Sequence, residues 1–301
     1  MNKQNHLYGH LACAFSIFVW GTTFISTKVL LRSFTPFEIL FFRFIIGYAA
    51  LWIACPRILK IKSLKEEICF ASAGLCGVTL YFLMENFALT YTLTSNVSTI
   101  IAAAPFFTAL FDWIFLRGQK PGIRFMAGFV TAIVGIGLIS FQGNSGVELN
   151  PVGDFLALSA AITWAAYSVF TKKIGEYGHG TIEATRRIFF YGLLFMIPVL
   201  AILPIRFDYE KISNASNLLN FLFLGLGASA LCFVTWNFAV KVLGTVKTSV
   251  YIYAVPVITV ITSMLVLNES LTLQSFFGII LTLIGLIISE NKFKKQASVS
   301  P

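Results

Sequence analysis

Charge is scarce in this sequence. Of its 301 residues 12% are charged, against roughly a quarter in an ordinary soluble domain, while 57% are hydrophobic and the mean hydropathy is +0.82. A water-exposed globule is excluded, because so few polar side chains cannot cover one, and lipid is the solvent that suits the chain. Thiol and metal patterns are missing as well. Cys13, Cys55, Cys69, Cys76 and Cys232 lie in or at the edge of apolar runs without CxxC spacing, and His6, His10 and His179 fall near segment ends. The cysteines read as small apolar residues, and neither a metal site nor a cofactor is expected. No GxxxxGK[ST] phosphate cradle occurs, which excludes ATP hydrolysis by this chain. Aspartate pairs, paired histidines and clustered nucleophiles are also absent, which argues against an intramembrane enzyme.

Long apolar stretches fill the remainder. A bilayer core about 30 Å thick needs roughly 20 apolar residues per helix. Ten runs qualify: 8–31, 36–54, 68–91, 96–115, 123–141, 153–172, 183–204, 218–241, 247–267 and 273–290. The expected fold is therefore an all-α integral membrane protein with ten transmembrane helices and short connections. The first run is longer than a signal peptide's apolar region, lacks a small-residue cleavage site and has a counterpart later in the chain, so it is expected to be retained.

The basic residues give an orientation. With the N-terminus in the cytoplasm, the inner segments hold Lys3; Arg57, Lys60, Lys62 and Lys65; Arg117, Lys120 and Arg124; Lys172 and Lys173; Lys241 and Lys247; and Lys292, Lys294 and Lys295. The outer segments hold only Lys28, Arg32, Arg206 and Lys211. This is a strong positive-inside bias with both termini cytoplasmic. It accounts for the net charge of +9 without a nucleic-acid partner.

The chain also repeats itself. Asn86, Phe87, Ala88 and Pro105 match Asn237, Phe238, Ala239 and Pro256 at an offset of 151 residues. At an offset of 144, Gly9, Trp20, Thr27 and Lys28 match Gly153, Trp164, Thr171 and Lys172; at 150, Gly128 and Gly135 match Gly278 and Gly285. Two five-helix units follow, 8–141 and 153–290, with a basic cytoplasmic tail at 291–301. Five spans per unit force the second copy to insert upside down, and the loop of Arg117, Lys120 and Arg124 accordingly corresponds to Asn268-Glu269-Ser270, which has no basic residue. Inverted repeats suit a carrier whose halves rock about a central site.

The order of motifs carries a family resemblance. W-N-F-A at 236–239, G-T-V-K-T-S at 244–249, A-V-P-V-I-T at 254–259, L-N-E-S-L-T at 267–272, Q-S-F-F-G at 274–278 and L-I-G at 283–285 have relatives in the first half, among them FSIFVWGTTFISTK and ENFALTYTLTSNVSTIIAAAPFFTALF. Across nearly its whole length the chain resembles the EamA-type drug/metabolite transporters. One departure is that Arg117-Gly118-Gln119 stands where such proteins often carry a glutamate, as Glu269 does after the ninth run. The resemblance implies a central cavity walled mainly by the first four spans of each half. It also implies plasma-membrane export of amino acids or related small metabolites, with drug or toxic-cation efflux as the alternative. Proton or solute exchange is the default coupling, and a monomer of two fused halves is sufficient.

Ionisable groups inside a bilayer cost several kcal/mol unless paired or wet. Arg43 and Glu85 lie at similar depth in the second and third runs, as a structural ion pair or as contacts for substrate or a coupling proton. Asp112 and the Arg186–Arg187 pair share the cytoplasmic side, either as a gate made by Asp112 with one of the arginines or as simple interfacial anchors. Asn86 and Asn237 serve as helix glue or touch substrate. Pro105 and Pro256 kink their helices at equivalent depths. Trp20, Tyr81, Trp164, Tyr167, Trp236, Tyr251 and Tyr253 are candidates for lining an aromatic cavity, although for most of them packing against lipid or core is the stronger expectation. The matched glycines of the fifth and tenth runs make those two spans packing elements.

Overall fold

A backbone in lipid has no water to bond, so each segment must satisfy its own amides and carbonyls, and the helix does so within one segment. The computed structural model of the protein describes residues 3–91, 94–140, 150–205, 208–267 and 273–290, and every element among them is helical. In chain order these are α1 (Lys3–Leu30), α2 (Pro36–Ala54), α3 (Leu64–Tyr91), α4 (Thr94–Ile101), α5 (Ala104–Phe115), α6 (Ile123–Ser140) and α7 (Pro151–Glu176). They continue as α8 (Thr181–Ile202), the five-residue α9 (Tyr209–Ser213), α10 (Ala215–Leu243), α11 (Thr245–Val250), α12 (Ala254–Leu267) and α13 (Leu273–Glu290). Arg206, the Asn268–Glu269–Ser270 segment and the 291–301 tail lie outside the described residues.

Six of these helices, α1, α2, α3, α7, α8 and α10, are long and apolar enough to cross a bilayer; Ala104–Phe115, Ile123–Leu138 and Phe276–Ser289 are shorter apolar helices. Two of the ten runs are interrupted among the described residues. The run at 96–115 breaks between α4 and α5, and the run at 247–267 breaks into α11, a 3-10 turn at Tyr251–Tyr253 and α12. The reason is proline. Its ring clashes with the carbonyl four residues back and cannot donate to it, and the breaks fall at Ile101, four before Pro105, and at Ile252, four before Pro256.

Two further irregularities are matched. Wide π turns occupy Leu75–Leu80 in α3 and Phe223–Leu231 in α10; shifting the first by the 151-residue offset gives 226–231, inside the second. A π turn inserts a residue and re-aims the face beyond it, here the face that carries Glu85 and Asn86 in α3 and Trp236 and Asn237 in α10. Gly74 and Gly225 stand at the same offset. A Cβ on Gly74 would lie 2.6 Å from the Ile188 carbonyl of α8, and one on Gly225 would lie 2.5 Å from Ile46 of α2.

The core is aromatic. Phe233 of α10 sits among Trp20, Phe44, Phe82, Trp164, Tyr167 and Phe189 with ring centroids 5.2 to 6.0 Å away. To one side α6 and α13 pack against each other through their glycines. A Cβ on Gly135 would lie 2.5 Å from the Thr282 amide nitrogen, and one on Gly285 would lie 2.5 Å from that of Ala132. Backbone stands on the far side, so nothing can yield. Gly135→Leu is expected to destabilise the protein by about 3 kcal/mol, visible as a lower melting temperature and loss of the monodisperse peak in detergent.

Candidate functional site

The matched breaks and the re-aimed α3 face meet at one place. Ile101 and Ile252, the residues four before each proline, line a cavity together with Trp20, Thr23, Phe24, Tyr81, Phe82, Glu85, Ser98, Trp164 and Val255. It is narrow, offering the centres of water-sized spheres ≈ 40 Å³. Its aromatic wall is built by contact: Trp20 lies 5.3 Å from Trp164 and 5.0 Å from Trp236, and Trp164 lies 4.9 Å from Tyr81 and 5.0 Å from Tyr167. Trp20 is fixed by donating its Nε1 proton to the Ala228 carbonyl at 2.9 Å. Trp236 and Tyr167 are fully buried behind the wall. Tyr253 is elsewhere, packed with Ala102, Ala109, Phe125 and Val250 near α6, so it does not line this cavity.

Glu85 and Arg43 are both buried, 7% and 2% exposed, yet they are not joined. Among the described residues the ion pairs within 4.0 Å are Lys172–Asp112, His179–Glu66, Arg187–Glu67 and Lys211–Asp208. Glu85 accepts a 3.5 Å hydrogen bond from the Tyr81 hydroxyl one helical turn away and faces the cavity. Arg43 donates through Nε to the Ser229 hydroxyl at 3.0 Å, and its guanidinium carbon lies 4.2 Å from the centroid of the Phe82 ring. Among the described residues its Nη2 is buried without a hydrogen-bond partner, as is Nε1 of Trp164. Of the two readings given to this pair, the direct structural ion pair is not made.

Both asparagines are engaged by protein. Asn86 donates to the Pro36 carbonyl at 3.0 Å, fastening α3 to α2. Asn237 donates to the Thr185 hydroxyl at 3.0 Å and accepts from the Tyr167 hydroxyl at 2.6 Å, fastening α10 to α8 and α7. Asn237→Ala would strand the buried Tyr167 hydroxyl. That costs about 1–3 kcal/mol and is expected to lower the melting temperature by several degrees.

The expected pairing of Asp112 with Arg186 or Arg187 is corrected by the geometry. Asp112, at the basic end of the bundle, accepts from Lys172 of α7 at 3.2 Å and from the Thr245 hydroxyl of α11 at 2.6 Å. Arg186 instead donates to the carbonyls of Cys55 and Arg57 and lies over the Trp52 ring, and Arg187 pairs with Glu67, which also accepts from Tyr191. The physical reason is distribution of partners: α8 packs on α2 and α3, whose last carbonyls and first-turn acids are complementary to arginine. Beside Asp112 a depression of ≈ 200 Å³ is lined by Gln119, Lys120, Lys172, Thr245 and Lys247 together with apolar residues such as Phe125 and Leu243.

At the opposite end Lys28, the repeat counterpart of Lys172, donates to the Leu89 carbonyl at the end of α3 at 2.9 Å. Next to it a depression of ≈ 860 Å³ is lined by Leu31, Ser33 to Glu38, Phe87, Thr90, Leu203, Pro204, Asp208 and Lys211. The Lys211 amide holds the exposed Asp208 carboxylate below the usual carboxylate range.

The sequence pattern of the EamA-like transporter family matches residues 7–141 and again residues 151–290. The chain belongs to the EamA-like transporter family. It is 29% identical over 292 residues to an uncharacterized transporter of Archaeoglobus fulgidus, covering 94% of this chain and 97% of that one. A probable terminal-alkyne amino-acid exporter of Streptantibioticus cattleyicolor is 24% identical over 259 residues, covering 86% of this chain and 85% of the other. A probable amino-acid metabolite efflux pump of Escherichia coli is 23% identical over 283 residues, covering 91% of each. A crystal structure with 18% identity superposes with a TM-score of 0.76 over 99% of this chain and 100% of its own, which supports the same fold. The protein is thus a multi-pass membrane transporter and its family is not an enzyme family.

In this EamA-like transporter several site residues carried no distinctive sequence signal. Phe82, Ser98, Ser229 and Phe233 are ordinary members of apolar or small-residue runs. Lys172 did carry one, because it stands in the quartet that repeats Gly9, Trp20, Thr27 and Lys28.

Proposed function

We propose that this transporter exports amino acids or related small metabolites across the plasma membrane by alternating access, with both termini in the cytoplasm and no ATP site of its own. The observation that carries the reading is the cavity where Glu85, Tyr81, Trp20 and Trp164 meet Ile101 and Ile252 at the two broken helices. Supporting it are the paired irregularities: proline breaks, π turns and asparagine ties recur at a common offset, as two related inverted units of five spans would place them. The names of the amino-acid exporting relatives point the same way. Asp112, Lys172 and Thr245 form the cytoplasmic gate in this reading, and Lys28 with Leu89 its weaker outer counterpart. Exchange with protons or a second solute drives the cycle, and one chain in the bilayer suffices. Drug or toxic-cation efflux is the second reading, favoured by an unpaired acid in an aromatic wall.

Untargeted mass spectrometry of the medium decides between them. Cells overproducing the wild type are expected to accumulate particular amino acids outside, relative to a Glu85→Gln variant of equal membrane abundance. Accumulation of none, with raised resistance to cationic drugs, would overturn the amino-acid reading in favour of the second.

A further inference from the structure

The central cavity is too small for its task as it stands. Its ≈ 40 Å³ of centre volume holds about three water molecules, so any metabolite must displace a wall. Phe82 borders both buried charges. On one side it lines the cavity with Glu85. On the other its ring lies against the Arg43 guanidinium, whose Nη2 is buried without an acceptor while Nε is held by Ser229. A buried donor of this kind is costly unless something completes it. Ser229 fixes one edge of the fork and leaves the other for a planar acceptor, the geometry with which arginine binds carboxylates. Trp164 Nε1, also without a partner, belongs to a cavity-lining residue. The opposite wall suits a cation: an acid among Trp20, Tyr81, Phe82 and Trp164 offers both a counter-charge and ring faces to an ammonium group.

We propose that Glu85, Phe82 and Arg43 form a subsite for a zwitterion, in which rotation of the Phe82 ring joins the Glu85 cavity to the open edge of Arg43. The substrate is a free α-amino acid whose ammonium meets Glu85 and whose carboxylate meets Arg43 Nη2. Its side chain lies along the aromatic wall. Neither charge is then left alone in the low-dielectric interior, and the filled site is electrically balanced. The empty site keeps its balance differently, with Phe82 stacked under the guanidinium and the Tyr81 hydroxyl on Glu85. The proposal rests on the amino-acid reading above.

The test is counterflow into liposomes containing the purified protein. A mixture of the proteinogenic amino acids first identifies one that exchanges; its decarboxylated amine and its deaminated acid are then used as competitors. Each analogue lacks one charged bond and is expected to compete at least about 10-fold more weakly than the amino acid. In Arg43→Lys, which keeps the charge but loses the fork, the preference for the amino acid over the amine should collapse while amine competition is unchanged. The wild-type comparison alone decides the matter if Arg43→Lys fails to fold. An amine that competes as well as its parent amino acid would overturn the subsite and leave the exporter reading standing. No exchange of any amino acid would overturn both.

Discussion

Glu85→Gln is expected to reduce amino-acid counterflow by about 10- to 150-fold, the equivalent of one hydrogen bond to a charged group worth about 1.5–3 kcal/mol. The substitution keeps size and hydrogen-bonding capacity, and among the described residues Glu85 has no ion-pair partner within 4.0 Å to strand. Folding therefore survives, because among the described residues Glu85 accepts its hydrogen bond from the Tyr81 hydroxyl, which can donate to a glutamine oxygen as well. What is lost is the negative charge that faces the cavity. Equal transport by wild type and variant at equal abundance would remove Glu85 from the substrate path, whereas loss of the protein from the membrane would assign it to folding.

Asp112 gives the second large effect. Its carboxylate, 6% exposed, ties α5 to α7 through Lys172 and to α11 through Thr245. Removing one partner of a buried pair typically costs about 3–5 kcal/mol because the other charge is left behind; Lys172 is 30% exposed, which lowers the figure here. Asp112→Ala and Lys172→Ala should each reduce exchange by about tenfold or more, since a carrier that cannot close at the basic end cannot alternate. Exchanging the two residues, Asp112→Lys with Lys172→Asp, should recover part of the lost exchange, measured in liposomes at low salt. Exchange of charge between Asp112 and Arg186 should give no rescue, because Arg186 is already engaged by the Cys55 and Arg57 carbonyls. The opposite result would restore the pairing expected from depth alone.

That contrast shows where depth in a helix stops being informative. Asp112, Lys172, Arg186 and Arg187 all lie toward the basic end, so hydropathy places them in one layer. Choosing partners within the layer requires knowing which helix stands beside which. Arg43 and Glu85 repeat the point: their similar depth suggested contact, and instead the guanidinium lies over the Phe82 ring while Glu85 faces the cavity. The proline breaks were more readable, because a ring's clash with the carbonyl four residues back is local chemistry. The π turns left no such trace, since Leu75–Leu80 and Phe223–Leu231 are ordinary apolar sequence and their widening depends on the helices packed against them.

By itself the sequence determined the solvent of this protein, its helical class, its repeated motifs, its family and the small set of charges buried in it. Those follow from composition, run length and spacing, which are properties of the chain one segment at a time. The tertiary structure decided which donors meet which acceptors, which helices break, and that Glu85 faces a cavity while Arg43 keeps an unmatched nitrogen behind Phe82. Such choices depend on the packing of segments far apart in the chain, where a rotation of one side chain changes a partner and leaves hydropathy untouched.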